Sequence, residues 1–222
     1  MKTTRITLAL SAALSLAYLL TPDYSAADWR VLCKFASVAL IALQGYRVNK
    51  LLGVALTCGA LGDFLLDVAR LGSLGPEQLF LFGLGAFLAG HVVYVVMFRR
   101  FPACGWKSLV TARKVAIVAV AATLISVLGE LRGSLGPLFI PVIAYALVLA
   151  TMAITAQLAE MGNSLAAAGA LSFVASDAML AMAKFHAPFP GSSVLIWITY
   201  YLAQLLIFLG VMRRHKRECT TV

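Results

Sequence analysis

The sequence predicts an all-α fold, a polytopic membrane bundle of eight transmembrane helices, and three observations predict it. Mean hydropathy is +0.94 and only 12% of residues are charged, against roughly 25% in a soluble domain. The apolar runs are long enough to cross a bilayer, which takes about 20 residues per helix. The longest polar connection, about 99–113, is too short for a soluble domain. Lipid offers no partner to an open sheet edge, which leaves helices. Residues 1–222 read as a single integral membrane domain.

In order, the segments are 5–21, 27–45, 50–69, 77–98, 114–131, 136–159, 164–184 and 193–212. The first has a basic start, a short apolar run and nearby small residues, as a secretory signal does. Leu19, Leu20, Thr21 and Pro22 interrupt the approach to a cleavage site, so a retained first helix is expected. The third and seventh segments carry Gly and Ala at 53, 55, 59, 60 and 62, and at 166–170. Small residues let helix backbones approach closely, and packing is the reading given to them.

An even number of crossings puts both termini on one side. The connections on that side hold thirteen cations, from Lys2 and Arg5 to Lys216 and Arg217, against Glu160 and Glu218. The other side balances, with Arg30, Arg70, Arg132 and Lys184 against Asp23, Asp28, Glu77 and Glu130. Cations concentrate on the cytoplasmic face, so both termini are expected there, in the inner membrane of a bacterium. The net charge of +9 is thus topology plus attraction to anionic membrane lipids, with no nucleic-acid partner. Cys33, Cys58, Cys104 and Cys219 show neither C-x-x-C nor metal-ligand spacing, and no disulfide is expected.

Charged side chains at membrane depth are expensive and seldom persist without a partner or a task. Asp63 lies 13 residues beyond Lys50, roughly 20 Å up a ~30 Å core. Asp177, 13 residues beyond Ser164, reaches the same level. Asp67 is one turn further outward than Asp63 and is expected nearer the surface, tuning charge or lining the entrance. Lys34 lies about 9 Å below Asp28, and His91, about 21 Å below Glu77, is the deepest. Tyr145, Tyr200, Tyr201 and Gln204 fall near the middle or in the outer half. Three aspartates then share a low-dielectric layer with one lysine, and at least one carboxyl is expected to stay protonated. A protonated acid beside an ionised one is what acid–base hydrolysis needs.

Nine residues of the third segment, GALGDFLLD (59–67), echo GALSFVASD (169–177) of the seventh, which suggests a 4+4 repeat. The echo aligns Asp67 with Asp177, whereas depth aligns Asp63 with it, and depth is followed here.

The chain resembles the YhhN-like lysoplasmalogenase family of eight-helix membrane proteins. The resemblance runs in order through Lys34-Phe35, Gly59–Asp67, Gly85–Tyr94, Gly129-Glu130-Leu131, Pro141–Tyr145, Gly169–Asp177 and Tyr200–Leu206. It implies hydrolysis of the vinyl ether bond of a lysophospholipid substrate, giving a fatty aldehyde and glycerophosphoethanolamine or glycerophosphocholine. It also implies that Asp63 and Asp177 are catalytic, with Lys34, His91, Tyr200 and Tyr201 in support. Phe35 departs from the family pattern, standing where a proline is common. Depth and chemistry add Asp67, Glu130, Tyr145 and Gln204 to the supporting set, Glu130 as an outer-boundary acid that attracts a choline or ethanolamine cation. Protonating the outer alkene carbon of a vinyl ether gives an oxocarbenium ion, to which water adds, so two carboxyls suffice and no metal or cofactor is called for.

Two other hydrolases fit less well. An intramembrane aspartyl protease carries Gly-x-Gly-Asp, and residue 60 is Ala. A metal-dependent amidase needs several helix histidines, and only His91 qualifies. Intramembrane acids with a lysine also suit a proton-coupled transporter of small molecules or lipids, the strongest reading outside hydrolysis.

Overall fold

In hydrocarbon every backbone N–H and C=O must be bonded within its own segment, and the apolar runs answer by forming helices. A computed structural model describes residues 2–21, 28–68 and 76–220. Among them, eight helices are long and apolar enough to span a membrane. They are α1 (Lys2–Leu20), α2 (Asp28–Val48), α3 (Lys50–Val68), α4 (Pro76–Phe98), α5 (Thr111–Leu131), α6 (Phe139–Leu158), α7 (Leu165–Phe185) and α8 (Ser192–Thr220).

Two boundaries depart from the hydropathy pattern for identifiable reasons. The sixth apolar run begins with a 3₁₀ turn, Gly136–Leu138, where Gly136 takes φ +48° and Pro137 follows. A left-handed glycine then a proline hold α6 back until Phe139. The eighth helix runs about two turns beyond the apolar stretch, to Thr220. Hydropathy ends at the first cation, but the backbone ladder does not, and Arg214 pairs with Glu218 across one turn at 2.7 Å.

The chain forms two compact units, residues 1–94 and 95–222. In the first, α1 packs on α2, where Ser11 Oγ donates to the Ser37 carbonyl (2.6 Å) and Gln44 Nε2 to Thr7 Oγ1 (3.2 Å). The α2–α3 turn is sharp because Asn49 Oδ1 accepts from the backbone N–H of Leu51 (2.9 Å) and Leu52 (3.3 Å), capping α3 at its start. Gly62 lets α4 approach α3: a Cβ there would lie 2.6 Å from the Phe87 ring.

The second unit is closed at one end by its loops. Cys104 N–H donates to the Leu158 carbonyl and Glu160 N–H to the Pro102 carbonyl, both at 2.8 Å, an isolated antiparallel bridge about Ala103 and Ala159. Arg113 Nη1 donates to the carbonyls of Gln157 (2.8 Å) and Ala159 (3.1 Å). The Cys104 thiol donates to Glu160 Oε1 at 2.9 Å, and this bond to a carboxylate pushes the thiol above its ordinary range. Cys33, Cys58 and Cys104 are free thiols. At the other end Leu131, Leu135 and Val142 form an apolar knot against Ala181, Met182 and Phe185.

Helices α7 and α8 pack closely, and small residues make this possible. A Cβ on Gly169 would stand 2.8 Å from the Ala203 carbonyl oxygen and 2.9 Å from the Ile207 nitrogen. Backbone atoms cannot rotate away, so Gly169→Ala is expected to cost roughly 1–3 kcal/mol through overpacking. Gly129→Ala in α5, where a Cβ meets nothing within 4 Å, is expected to be neutral or to stabilise by up to ~1 kcal/mol. Thermal unfolding of the two variants in one detergent checks the contrast. Equal melting temperatures would count against the close α7–α8 contact.

Candidate functional site

In the first unit, α2 runs inward from Asp28 while α3 runs back toward Val68, so Lys34 comes level with the end of α3. Its Nζ donates to Asp67 Oδ1 at 3.2 Å and lies 3.8 Å from Asp63 Oδ1. One ammonium thus bridges two carboxylates that sit one turn apart on a single helix face. Both acids are buried, Asp63 at 3% and Asp67 at 6% exposure. Asp67, expected nearer the surface than Asp63, is thus buried against its neighbours as well. Lys34 draws it inward, and Asp67 is the lysine's nearer partner.

Tyr18 of α1 underlies this cluster. The Arg30 guanidinium carbon lies 4.4 Å from the Tyr18 ring centroid, and Lys34 Nζ 5.5 Å from the same ring. Arg30 is only 7% exposed, although its place near a helix end made it look interfacial. The charge balance of the layer is corrected accordingly: a buried arginine and a half-buried lysine, not the lysine alone, accompany Asp63 and Asp67. Sequence reading passed over Tyr18 and counted Arg30 only among the charges of the outer side. The available signal was spacing, since Arg30 and Lys34 are four apart and share a face of α2. His91, on α4, is also buried, at 1% exposure.

In the second unit, Tyr145 of α6 donates its hydroxyl to Asp177 Oδ2 of α7 at 2.5 Å. An O–H···O contact this short is typical of a charge-assisted bond, and it fixes the carboxylate's rotamer. Ser176 Oγ donates to the Ile196 carbonyl (2.9 Å) and Ser172 Oγ to the Thr199 carbonyl (2.7 Å), pinning this stretch of α7 against α8. On α8, Gln204 Nε2 donates to the Tyr200 hydroxyl at 3.2 Å, and both residues are buried. The Tyr200 ring meets Phe173 edge-on at 5.3 Å and Trp197 at 5.5 Å. Tyr201 is half-buried, 6.1 Å from Trp197 between ring centroids. Tyr145 and Tyr200 are both buried within the protein.

Glu130 stands apart from these buried groups. It is exposed near the end of α5, 3.8 Å from His186 Nδ1 beyond α7. Sequence reading had given His186 no role; it is Glu130's neighbour. Among the described residues no three His, Cys, Asp or Glu side chains gather closely enough to hold a metal ion.

The family model described as "YhhN family" matches residues 29–211. The chain belongs to the YhhN family. The match spans all ten candidate residues and Arg30, and leaves out Tyr18 on α1. This YhhN protein is similar to a lysoplasmalogenase of Mycobacterium bovis, 32% identical over 176 residues, 78% of this chain and 65% of that one. It is similar to the lysoplasmalogenase TMEM86B of Homo sapiens, 34% identical over 184 residues, 82% of this chain and 72% of the human one. The Sus scrofa TMEM86B is 36% identical over 163 residues, 73% of this chain and 63% of its own length. The YhhN chain thus spans 65% of the length of the mycobacterial relative. No solved structure matches it significantly.

Proposed function

We propose that this integral membrane protein is a hydrolase of the lysoplasmalogenase type, cleaving the vinyl ether bond of a lysoplasmalogen or a related lysoether lipid. The observation that carries the reading is a set of carboxyls, Asp63 and Asp67 buried and Asp177 half-buried, each beside a donor, in a chain whose relatives bear the lysoplasmalogenase name. In the proposed reaction a carboxylic acid transfers its proton to the outer alkene carbon, and the ether oxygen stabilises the resulting cation. Water adds to that cation as its proton passes to the second carboxylate. The hemiacetal then collapses to a fatty aldehyde and glycerophosphoethanolamine or glycerophosphocholine.

We assign the chemistry to Asp63 and Asp177. Lys34 hydrogen-bonds Asp67 and stands farther from Asp63, and Asp63 is given the role of proton donor in this reading. The Tyr145 hydroxyl orients the Asp177 carboxyl at 2.5 Å, and Asp177 is given the role of stabilising the cation and accepting a proton from water. Both termini are assigned to the cytoplasm and the protein to a bacterial inner membrane, because basic residues crowd the connections on the side of the termini.

The test is a screen of the purified protein against 1-acyl, 1-alkyl and 1-alkenyl lysophospholipids of one chain length. Aldehyde is expected from the 1-alkenyl lipid alone. No aldehyde from any of them, with proton-driven uptake in proteoliposomes, would replace this reading by the transporter that the buried ionic cluster also suits.

A further inference from the structure

We propose that the turn carrying Trp106 and Lys107, together with Lys114 of α5, binds the headgroup of an anionic phospholipid of the surrounding membrane. This surface belongs to the second unit, away from Lys34, Asp63 and Asp67, and it does not depend on the hydrolase chemistry. Residues 99–114 carry five cations and no acid, and residues 213–217 carry four more cations. The loop after α6 brings these two stretches to one end of the unit. Glu160 N–H donates to the Pro102 carbonyl (2.8 Å), Arg214 Nη1 to the Glu160 carbonyl (3.0 Å) and Arg217 Nη1 to the Gly162 carbonyl. Arg113, Arg214 and Arg217 are thus engaged with backbone carbonyls and serve the fold. Lys107 and Lys114 instead flank an exposed indole: Trp106 is 53% exposed, and Lys114 Nζ lies 5.9 Å from its ring centroid.

Position and chemistry favour a lipid over a soluble acidic partner. Lys114 stands in the first turn of α5, a membrane-length helix, so the preceding turn falls at the headgroup boundary, where an indole is at home. Val110, 62% exposed, adds apolar surface beside the cations. The turn is firmly built: the N–H groups of Ser108 and Leu109 both donate to the Gly105 carbonyl at 3.1 Å, and Leu109 is buried. Such preorganisation lowers the ordering cost of binding. On α8 the exposed Arg213 and Lys216 lie within about 6 Å beyond Met212, which matches a headgroup layer of roughly 5–8 Å on each side of the hydrocarbon core. A phosphodiester at that level meets the two ammonium groups, while its glycerol and first acyl carbons lie against Trp106 and Val110. A soluble polyanion supplies the charge without the apolar half.

The experiment places the full chain in mixed bilayers of phosphatidylglycerol and phosphatidylcholine, in which one or the other carries brominated acyl chains that quench indole fluorescence on contact. The Trp106 signal is the difference between the wild type and Trp106→Phe. Quenching is expected to show phosphatidylglycerol preferred by at least about fivefold, the worth of one cation near an anionic surface, and high salt should weaken that preference. Lys107→Gln combined with Lys114→Gln should bring the two lipids close to parity. Lys107→Gln alone, on the exposed turn, should fall between, and it carries the comparison if the double variant does not fold. Equal quenching by both lipids in the wild type, or a preference unchanged in these variants, would overturn the site. A Trp106 quenched by neither lipid would overturn it as well, because the turn would then face water. Relief of the quenching by glycerol phosphate in solution would replace the lipid by a free phosphate.

Discussion

Asp63→Asn and Asp177→Asn are each expected to lower kcat for aldehyde release by about 10²–10⁴-fold, the usual worth of a positioned acid or base. Both substitutions preserve shape. In Asp177→Asn the amide oxygen can still accept from Tyr145, whose hydroxyl is 2.5 Å from the native carboxylate. Lys34 still hydrogen-bonds Asp67 when Asp63 is neutralised, since that bond is the 3.2 Å one. The loss should therefore appear in turnover and not in melting temperature. Asp67→Asn supplies the contrast: it removes the nearer partner of Lys34 and should lower stability more than turnover. Steady-state aldehyde release beside thermal unfolding, in one detergent, reads both quantities. If the Asp63 and Asp177 variants kept wild-type turnover, the assignment of chemistry to these residues would be withdrawn.

Lys34→Met is expected to destabilise the protein by roughly 3–5 kcal/mol. Removing one partner of a buried ion pair leaves uncompensated charge in a medium that cannot solvate it, and here one lysine serves two buried acids. An exposed pair would be worth only about 0–1 kcal/mol, so magnitude alone separates the two situations. Adding Asp67→Asn to Lys34→Met should recover much of the loss, because the double variant discards the carboxylate that the lysine bonded. A double-mutant cycle on unfolding midpoints measures that coupling. A Lys34→Met cost below about 1 kcal/mol would mean that the acids do not depend on this lysine.

These residues show how far the sequence could be read. Eight spans were legible because hydropathy over about 20 residues reflects the solvent, not the neighbours. Asp63, Asp177 and Lys34 were singled out for a related reason: a charge at membrane depth is costly and seldom incidental. Counting residues placed Tyr145 and Tyr200 at membrane depth, and that they are also buried against other helices is information of the packing. Arg30 was misplaced because a cation near a helix end normally reaches water. Its burial depends on Tyr18, a residue of another helix, and no local pattern contains that information. Asp67 was misjudged likewise, since its distance from the helix end says nothing of the lysine opposite.

Local composition, set against the demands of lipid, is enough to give the all-helical class, the eight spans and the short list of costly polar residues, while the ordered motifs carry the resemblance to the family. The pairings came from the packed helices alone: Lys34 hydrogen-bonds Asp67 rather than Asp63, Tyr145 holds Asp177, and Arg30 lies over Tyr18. Each depends on the axial register and rotation of one helix against the next, which side-chain packing sets and hydropathy cannot encode.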